Sequence, residues 1–300
     1  MEAMRDPLGA LTTAPVCPGG GSAALPDPLE AARRENFPVA SRLIRRDLRP
    51  AVLAFYRYAR AADDVADDSA LPAAEKLARL DAFEAALRGG PGMAHGAALR
   101  DALAPLDRGG AALEQAARLL EAFRQDARGA ACPDLAALRD YCTRSADPVG
   151  RFLLLIHSEE EAAFGPSDAL CTALQVLNHL QDLRADCTEL GRVYLPADWL
   201  AAAGAAPGDL AAPALSPAAR RAVDRALDEC DGLLSAAAPL PGRIRSRGLR
   251  AQAAATLFLA RRLSARLRRD DPLHTRVRAP RQAFAMAVLV GLGHAAWRRP

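Results

Sequence analysis

The chain has 300 residues, 51% of them hydrophobic, with 39 Lys and Arg against 36 Asp and Glu and a formal net charge of +3. That balance argues against a nucleic-acid partner, which calls for a concentrated basic face, and no apolar run is long enough for a confident membrane span. The six cysteines, Cys17, Cys132, Cys142, Cys171, Cys187 and Cys230, form no C-x-x-C pair and fit no zinc spacing. With no secretory signal in view, the expectation is reduced thiols in a cytoplasmic protein.

Residues 1–27 are rich in Pro, Gly, Ser and Thr around Gly19-Gly20-Gly21 and read as a disordered tail. From residue 28 to 300 apolar residues recur at three- and four-residue spacing, which predicts a single all-α domain. Ala and Leu dominate the apolar set and aromatic residues are only 5%, a composition that favours helices.

In chain order, the first helix is expected from about Ser41 to Asp68, followed by helices over 74–88, 94–107, 110–127 and 134–146. Pro148 then opens a helix running to about Phe164, as proline is tolerated in a first turn. Gly165-Pro166-Ser167-Asp168 is read as a break, with Ser167 or Asp168 capping a helix to about Glu189. The Pro-rich stretch 204–217 is a loop, and helices over 217–237, 242–269 and 279–297 complete the chain. The last of these, from Ala283 to Trp297, is short for a span and ends in Arg298-Arg299. It reads either as a terminal core helix or as one that touches the inner membrane surface peripherally.

Two carboxylate clusters stand out. In the run from Arg60 to Asp68, Arg60, Asp63, Asp64 and Asp67 fall within an arc of roughly 100°. Asp63 and Asp67 are four apart, so their like charges stack and destabilise the helix unless something compensates. In the second cluster, Gln175, Asn178, Asp182 and Asp186 share an arc of about 80°. Their neighbours Leu174, Leu177 and Leu180 predict a buried helix, whose polar stripe must be paired, solvated or metal-bound. All-oxygen ligands suit a hard cation, and paired carboxylates that meet phosphate oxygens suit Mg²⁺. Arg60 on the first stripe and Arg192 beyond the second could stabilise charge on a diphosphate leaving group.

With these motifs stand Glu35 to Ser41, the run from Tyr141 to Gly150, and Arg192-Val193-Tyr194-Leu195-Pro196. Taken together, the segments resemble the squalene/phytoene synthase family over roughly residues 35–300. The resemblance implies the isoprenoid-synthase helical bundle around a central apolar cavity, with an isoprenoid diphosphate as substrate. It implies that Asp63, Asp67, Asp182 and Asp186 hold Mg²⁺ and diphosphate. Arg60 and Arg192 would bind diphosphate with Tyr141 and Tyr194 nearby, and Phe37, Gln175 and Asn178 would line the substrate cavity.

One departure is visible. Much of the family reads Asn-x-x-Arg-Asp where this chain has Asn178-His179-Leu180-Gln181-Asp182. That form, joined with Glu35 to Ser41, resembles the hydroxysqualene-forming branch of the bacterial hopanoid pathway. The resemblance implies presqualene diphosphate and water as reactants, no NADPH, and handover with other enzymes of that pathway. Alternatives are a head-to-head prenyl diphosphate condensing enzyme and a non-catalytic helical isoprenoid-binding protein. His179 points about 100° away from Asn178 and reads as a structural histidine.

Overall fold

Ala- and Leu-rich segments form the helices of the computed structural model, which describes residues 43–107, 109–279 and 281–296. The α-helices are α1 (Arg49–Asp67), α2 (Ala73–Leu87), α3 (Ala94–Leu103), α4 (Ala111–Ala127), α5 (Leu135–Ser145), α6 (Asp147–Ile156), α7 (Phe164–Ala185), α8 (Ala197–Ala203), α9 (Pro217–Ala236), α10 (Leu240–Arg243), α11 (Arg247–Leu267) and α12 (Arg281–Ala296). No strand occurs among the described residues, so the expected all-α class holds. Asp134 caps α5 by accepting from the Ala137 amide, and Ser216 caps α9 by accepting from Ala219. The buried Glu159 caps α11 from a distance, accepting the Arg245 and Ser246 amides at 2.6 and 2.8 Å.

Several expected boundaries move. The helix expected over 94–107 stops at Leu103, and that expected over 242–269 is divided into α10 and α11. The first helix begins at Arg49, with turns over 43–48, and Pro50 fits its first turn. The expected helix from Pro148 to Phe164 stops at Ile156, where Ser158 adopts a left-handed φ of 55°. The expected break at Gly165-Pro166 is absent: both residues lie in the first turn of α7, where a missing amide hydrogen costs no helical bond. Neither Ser167 nor Asp168 acts as the cap. Asp168 instead accepts from Arg151, and Ser167 packs against Gly150. The loop over 204–217 contains a short 3₁₀ turn, Pro207–Ala211.

α7 is the axis of the bundle. It packs against α5, α6, α9 and α11, and nearly its whole length is buried, as expected of a helix that is apolar on most sides. α1 joins through stacked Phe55 and Phe152, 3.9 Å between ring centres, and through Tyr58 edge-on to Phe83. One hydrophobic core takes in residues from Ile44 to Ala287. The α-helical part of α7 ends at Ala185 and continues as a π-turn, Asp186–Leu190, closed by Gly191 at φ 64°. That turn sends the chain back across the end of α1.

Candidate active site

Asp63 and Asp67 lie in the last two turns of α1. Asp63 is 2% exposed. Burial, followed by the charge of Asp67, pushes the Asp63 carboxyl well above the usual range. Asp67 is also raised by burial, but the Arg192 guanidinium opposes the shift. Arg60 lies 3.7 Å from Asp63 and 2.8 Å from Asp64, so its firmer partner is Asp64.

The second stripe approaches across Arg192. Its amide donates to the Asp186 carbonyl at 2.9 Å, while its guanidinium reaches Asp67 and the Ala66 carbonyl. The two acidic segments are therefore joined through one arginine. Asp182 takes its cation from elsewhere: Arg276, in the connection between α11 and α12, donates to it at 3.0 Å. Gln181, at the position where the family pattern has arginine, donates to the Val277 carbonyl at 2.5 Å and holds that connection down.

Tyr141 and Tyr194 are brought together by a residue that sequence reasoning missed. Asp126 accepts from Tyr141 at 2.8 Å and from Tyr194 at 2.9 Å. Burial raises Asp126 to about 6, against the lowering effect of Arg192 and the phenols. A signal was present, because an acidic residue in the last turn of a helix opposes the macrodipole. No comparable signal marks Arg276. His179 stacks on Tyr194 at 3.9 Å between ring centres and lies 3.4 Å from the Gln175 amide nitrogen. Its burial lowers its pKa to about 3, so the 4.0 Å approach to Asp186 is that of a neutral ring.

Several polar atoms here are buried without hydrogen-bond partners: Asp63 Oδ2, Asp67 Oδ2, Gln175 Oε1 and both side-chain atoms of Asn178. Buried orphans of this kind are costly unless a ligand satisfies them. All but the Asn178 amide nitrogen are oxygens, a donor set that fits a hard divalent cation. Among the described residues no three acidic, His or Cys side chains converge closely enough to enclose an ion by themselves. Any ion here therefore needs oxygens from a bound ligand as well, as Mg²⁺ does at phosphate sites.

An apolar cleft bounded by α6, α7 and the α10–α11 region reaches Leu174, one helical turn before Asn178 on α7. α7 gives it Ser167, Leu170, Cys171 and Leu174. At 100° per residue these fall on the same face as Asn178 and Asp182, so the apolar stripe runs into the polar one. Phe37 lies outside the described residues.

The bundle and its paired acidic segments define an enzyme of the isoprenoid-synthase class. The squalene/phytoene synthase family model matches residues 31–283. The chain is 40% identical over 246 residues to the hydroxysqualene synthase of Sinorhizobium fredii, covering 82% of this chain and 83% of that protein. It is 39% identical over 256 residues to the hydroxysqualene synthase of Rhodopseudomonas palustris, covering 85% and 87%. A solved squalene synthase from Alicyclobacillus acidocaldarius superposes with a TM-score of 0.68 at 32% identity, covering 81% of this chain and 93% of that one. The chain belongs to the squalene/phytoene synthase family.

Proposed function

We propose that the protein converts presqualene diphosphate and water into hydroxysqualene and diphosphate, as a carbon–oxygen lyase that uses Mg²⁺. The observation that carries this reading is the shared face of α7. Its first half lines an apolar cleft and its second half carries Asn178 and Asp182, matching a long hydrocarbon joined to an anionic head. The similarity to hydroxysqualene synthases over most of the chain favours water as the nucleophile.

Asp63, Asp67, Asp182 and Asp186 would hold Mg²⁺, which neutralises the leaving diphosphate when bound. Arg192 and Arg276, which pair with Asp67 and Asp182, would also offer guanidinium donors to diphosphate oxygens. The carbon–oxygen bonding pair leaves with the diphosphate. The cleft walls, apolar apart from Ser167, Gln252 and Thr256, keep bulk water from the carbocation. Gln175 Oε1 and the Asn178 amide, buried and unpartnered, would orient a single water. That water forms the new carbon–oxygen bond, and its proton passes to the released diphosphate. The sum is redox-neutral and needs no NADPH.

Purified protein with Mg²⁺ and presqualene diphosphate should release hydroxysqualene and diphosphate without a reductant. Farnesyl diphosphate alone should give no condensation product. A folded protein that condenses farnesyl diphosphate and leaves presqualene diphosphate unchanged would overturn the reading.

A further inference from the structure

α12 is packed with its sides reversed. A surface helix of a soluble protein buries its large apolar residues and exposes polar ones. Here the residues turned inward are small: Ala283, Ala287 and Gly291, four apart, are buried. At Gly291 a Cβ would lie 2.9 Å from the Ala251 carbonyl, so α12 lies tight against α11. The large residues face out. Met286 is 49% exposed, Val288 60%, Leu289 61% and Leu292 54%. With Gln282, Ala285, Gly293 and Ala296 they make an arc of about 160° that is exposed and uncharged from Gln282 onward, with Arg281 at its start.

Two further observations say what covers this face. First, its border is basic. Gly291 against Ala251 sets the later turns of α12 beside the start of α11, where Arg243, Arg245 and Arg247 are exposed. The Leu43 carbonyl lies against Gly248, which brings exposed Leu43 and Arg46 to the same end. Some of this charge is spent internally, since Arg245 lies 3.3 Å from Glu160 and Arg45 pairs with Asp47. Counting Arg45, Arg46, Arg243, Arg245 and Arg247 against Asp47, Glu159 and Glu160 leaves five positive and three negative groups. Arg298 and Arg299 follow in the sequence. Second, α11 separates this face from the cleft. Leu249, Gln252, Ala253 and Thr256 line the cleft from one side of α11, while Ala251 meets α12 from the opposite side. Two helices, α12 itself and α11, together about 20 Å thick, lie between the exposed face and the space proposed for the hydrocarbon.

We propose that the outer face of α12 docks the protein on an anionic lipid surface, with Met286, Val288, Leu289 and Leu292 in the acyl boundary and the Arg fringe at the headgroups. Aliphatic side chains with no aromatic or hydrogen-bonding anchor suit a fluid apolar phase better than a protein partner, whose hot spots favour Trp, Tyr and Arg. α12 is too short and too weakly apolar to cross a bilayer, so it lies on it. Docking itself is independent of the proposed reaction. The benefit, delivery of a hydrocarbon substrate from bilayer to adjacent cleft, rests on that reading.

The test is flotation of the full chain with phosphatidylcholine vesicles, with and without phosphatidylglycerol. Binding is expected with phosphatidylglycerol and should weaken with salt. Leu289→Glu/Leu292→Glu should weaken it at least tenfold while leaving activity on detergent-dispersed substrate unchanged. Arg46→Gln/Arg247→Gln should reduce the salt dependence. No binding by the parent protein, or equal binding by the Leu289→Glu/Leu292→Glu variant, overturns the proposal. So does a parent dimer that this variant converts to monomer without any vesicle binding, which would assign the face to a second copy. A fluorophore on Leu289→Cys should shift to the blue only when vesicles are added; a shift already complete in lipid-free monomer would mean the chain covers the face itself.

Discussion

Arg192 reaches from the π-turn after α7 to the carboxylate of Asp67 at the end of α1. It ties together the two acidic segments, work that under the proposed function a bound cation and diphosphate would share. Removing Asp67 or Asp182 should therefore spare the fold and abolish the chemistry. Asp63→Asn, Asp67→Asn and Asp182→Asn are expected to lower diphosphate release by about a hundredfold or more, with circular dichroism unchanged. Parental turnover in any one of them would remove that residue from the metal role.

Asp126 gives a pH signature. Its folded pKa is raised to about 6 by burial, above the unfolded value of about 4. The folded state holds this proton more tightly, so the contribution is favourable below about pH 4 and is lost as pH rises through about 6. Asp126→Asn carries no charge to desolvate. Its stability relative to the parent should improve between pH 4.5 and pH 8 by an amount on the order of 2 kcal/mol. Denaturant melts at the two pH values measure this, and an unchanged gap would mean that the carboxylate is already compensated when ionised.

Gln181 should act through Arg276. Gln181→Ala frees the Val277 carbonyl and loosens the connection that carries Arg276 to Asp182. Faster amide exchange over residues 271–279 is expected, along with a fall in kcat that approaches the loss in Arg276→Gln. Because the two act in series, the double variant should be little worse than Arg276→Gln alone; additive losses would separate them.

Much of this site was legible in the sequence because helical spacing is rigid. Asp63 with Asp67, and Gln175 with Asn178 and Asp182, follow from 3.6 residues per turn, and the clash of like charges announced that a compensating group was needed. What stayed hidden depends on contacts between distant segments. Arg276 lies 94 residues from Asp182 in sequence, in a connection without periodicity. Asp126 could have been suspected from its place against the helix dipole, but not its two tyrosine partners. The misplaced break at Gly165-Pro166 has a local reason: the same residues that end a helix are tolerated in its first turn.

His179 offers a test of how water is directed. Its neutral ring lies against the Gln175 amide nitrogen, while Gln175 Oε1 has no hydrogen-bond partner. His179→Phe should keep the stack on Tyr194 and lose the amide contact. Diphosphate release is expected to stay within about tenfold of the parent, while the hydroxylated share of product falls in favour of eliminated or rearranged hydrocarbons. Mass spectrometry of the products reads this ratio, and an unaltered ratio would confine His179 to packing.

Gly150 marks the tightest approach in the cleft wall. A Cβ there would lie 2.4 Å from Ser167 Oγ and 2.6 Å from Cys171 Sγ. Gly150→Ala should cost about 1–3 kcal/mol, and Ser167→Ala in the same chain should recover part of it. Thermal melts of the single and double variants measure the coupling; strict additivity would mean that the wall yields elsewhere.

Because one continuous helix carries both stripes, α7 works as a ruler. Ser167 and Asp182 are fifteen residues apart, which at 1.5 Å per residue is about 22 Å along the axis. A helix buried over nearly its whole length cannot stretch, so the interval from the breaking bond to the far wall is set by the fold. Under the proposed function, a hydrocarbon longer than that interval would have to bend, so the substrate length accepted would be set by a count of helical turns.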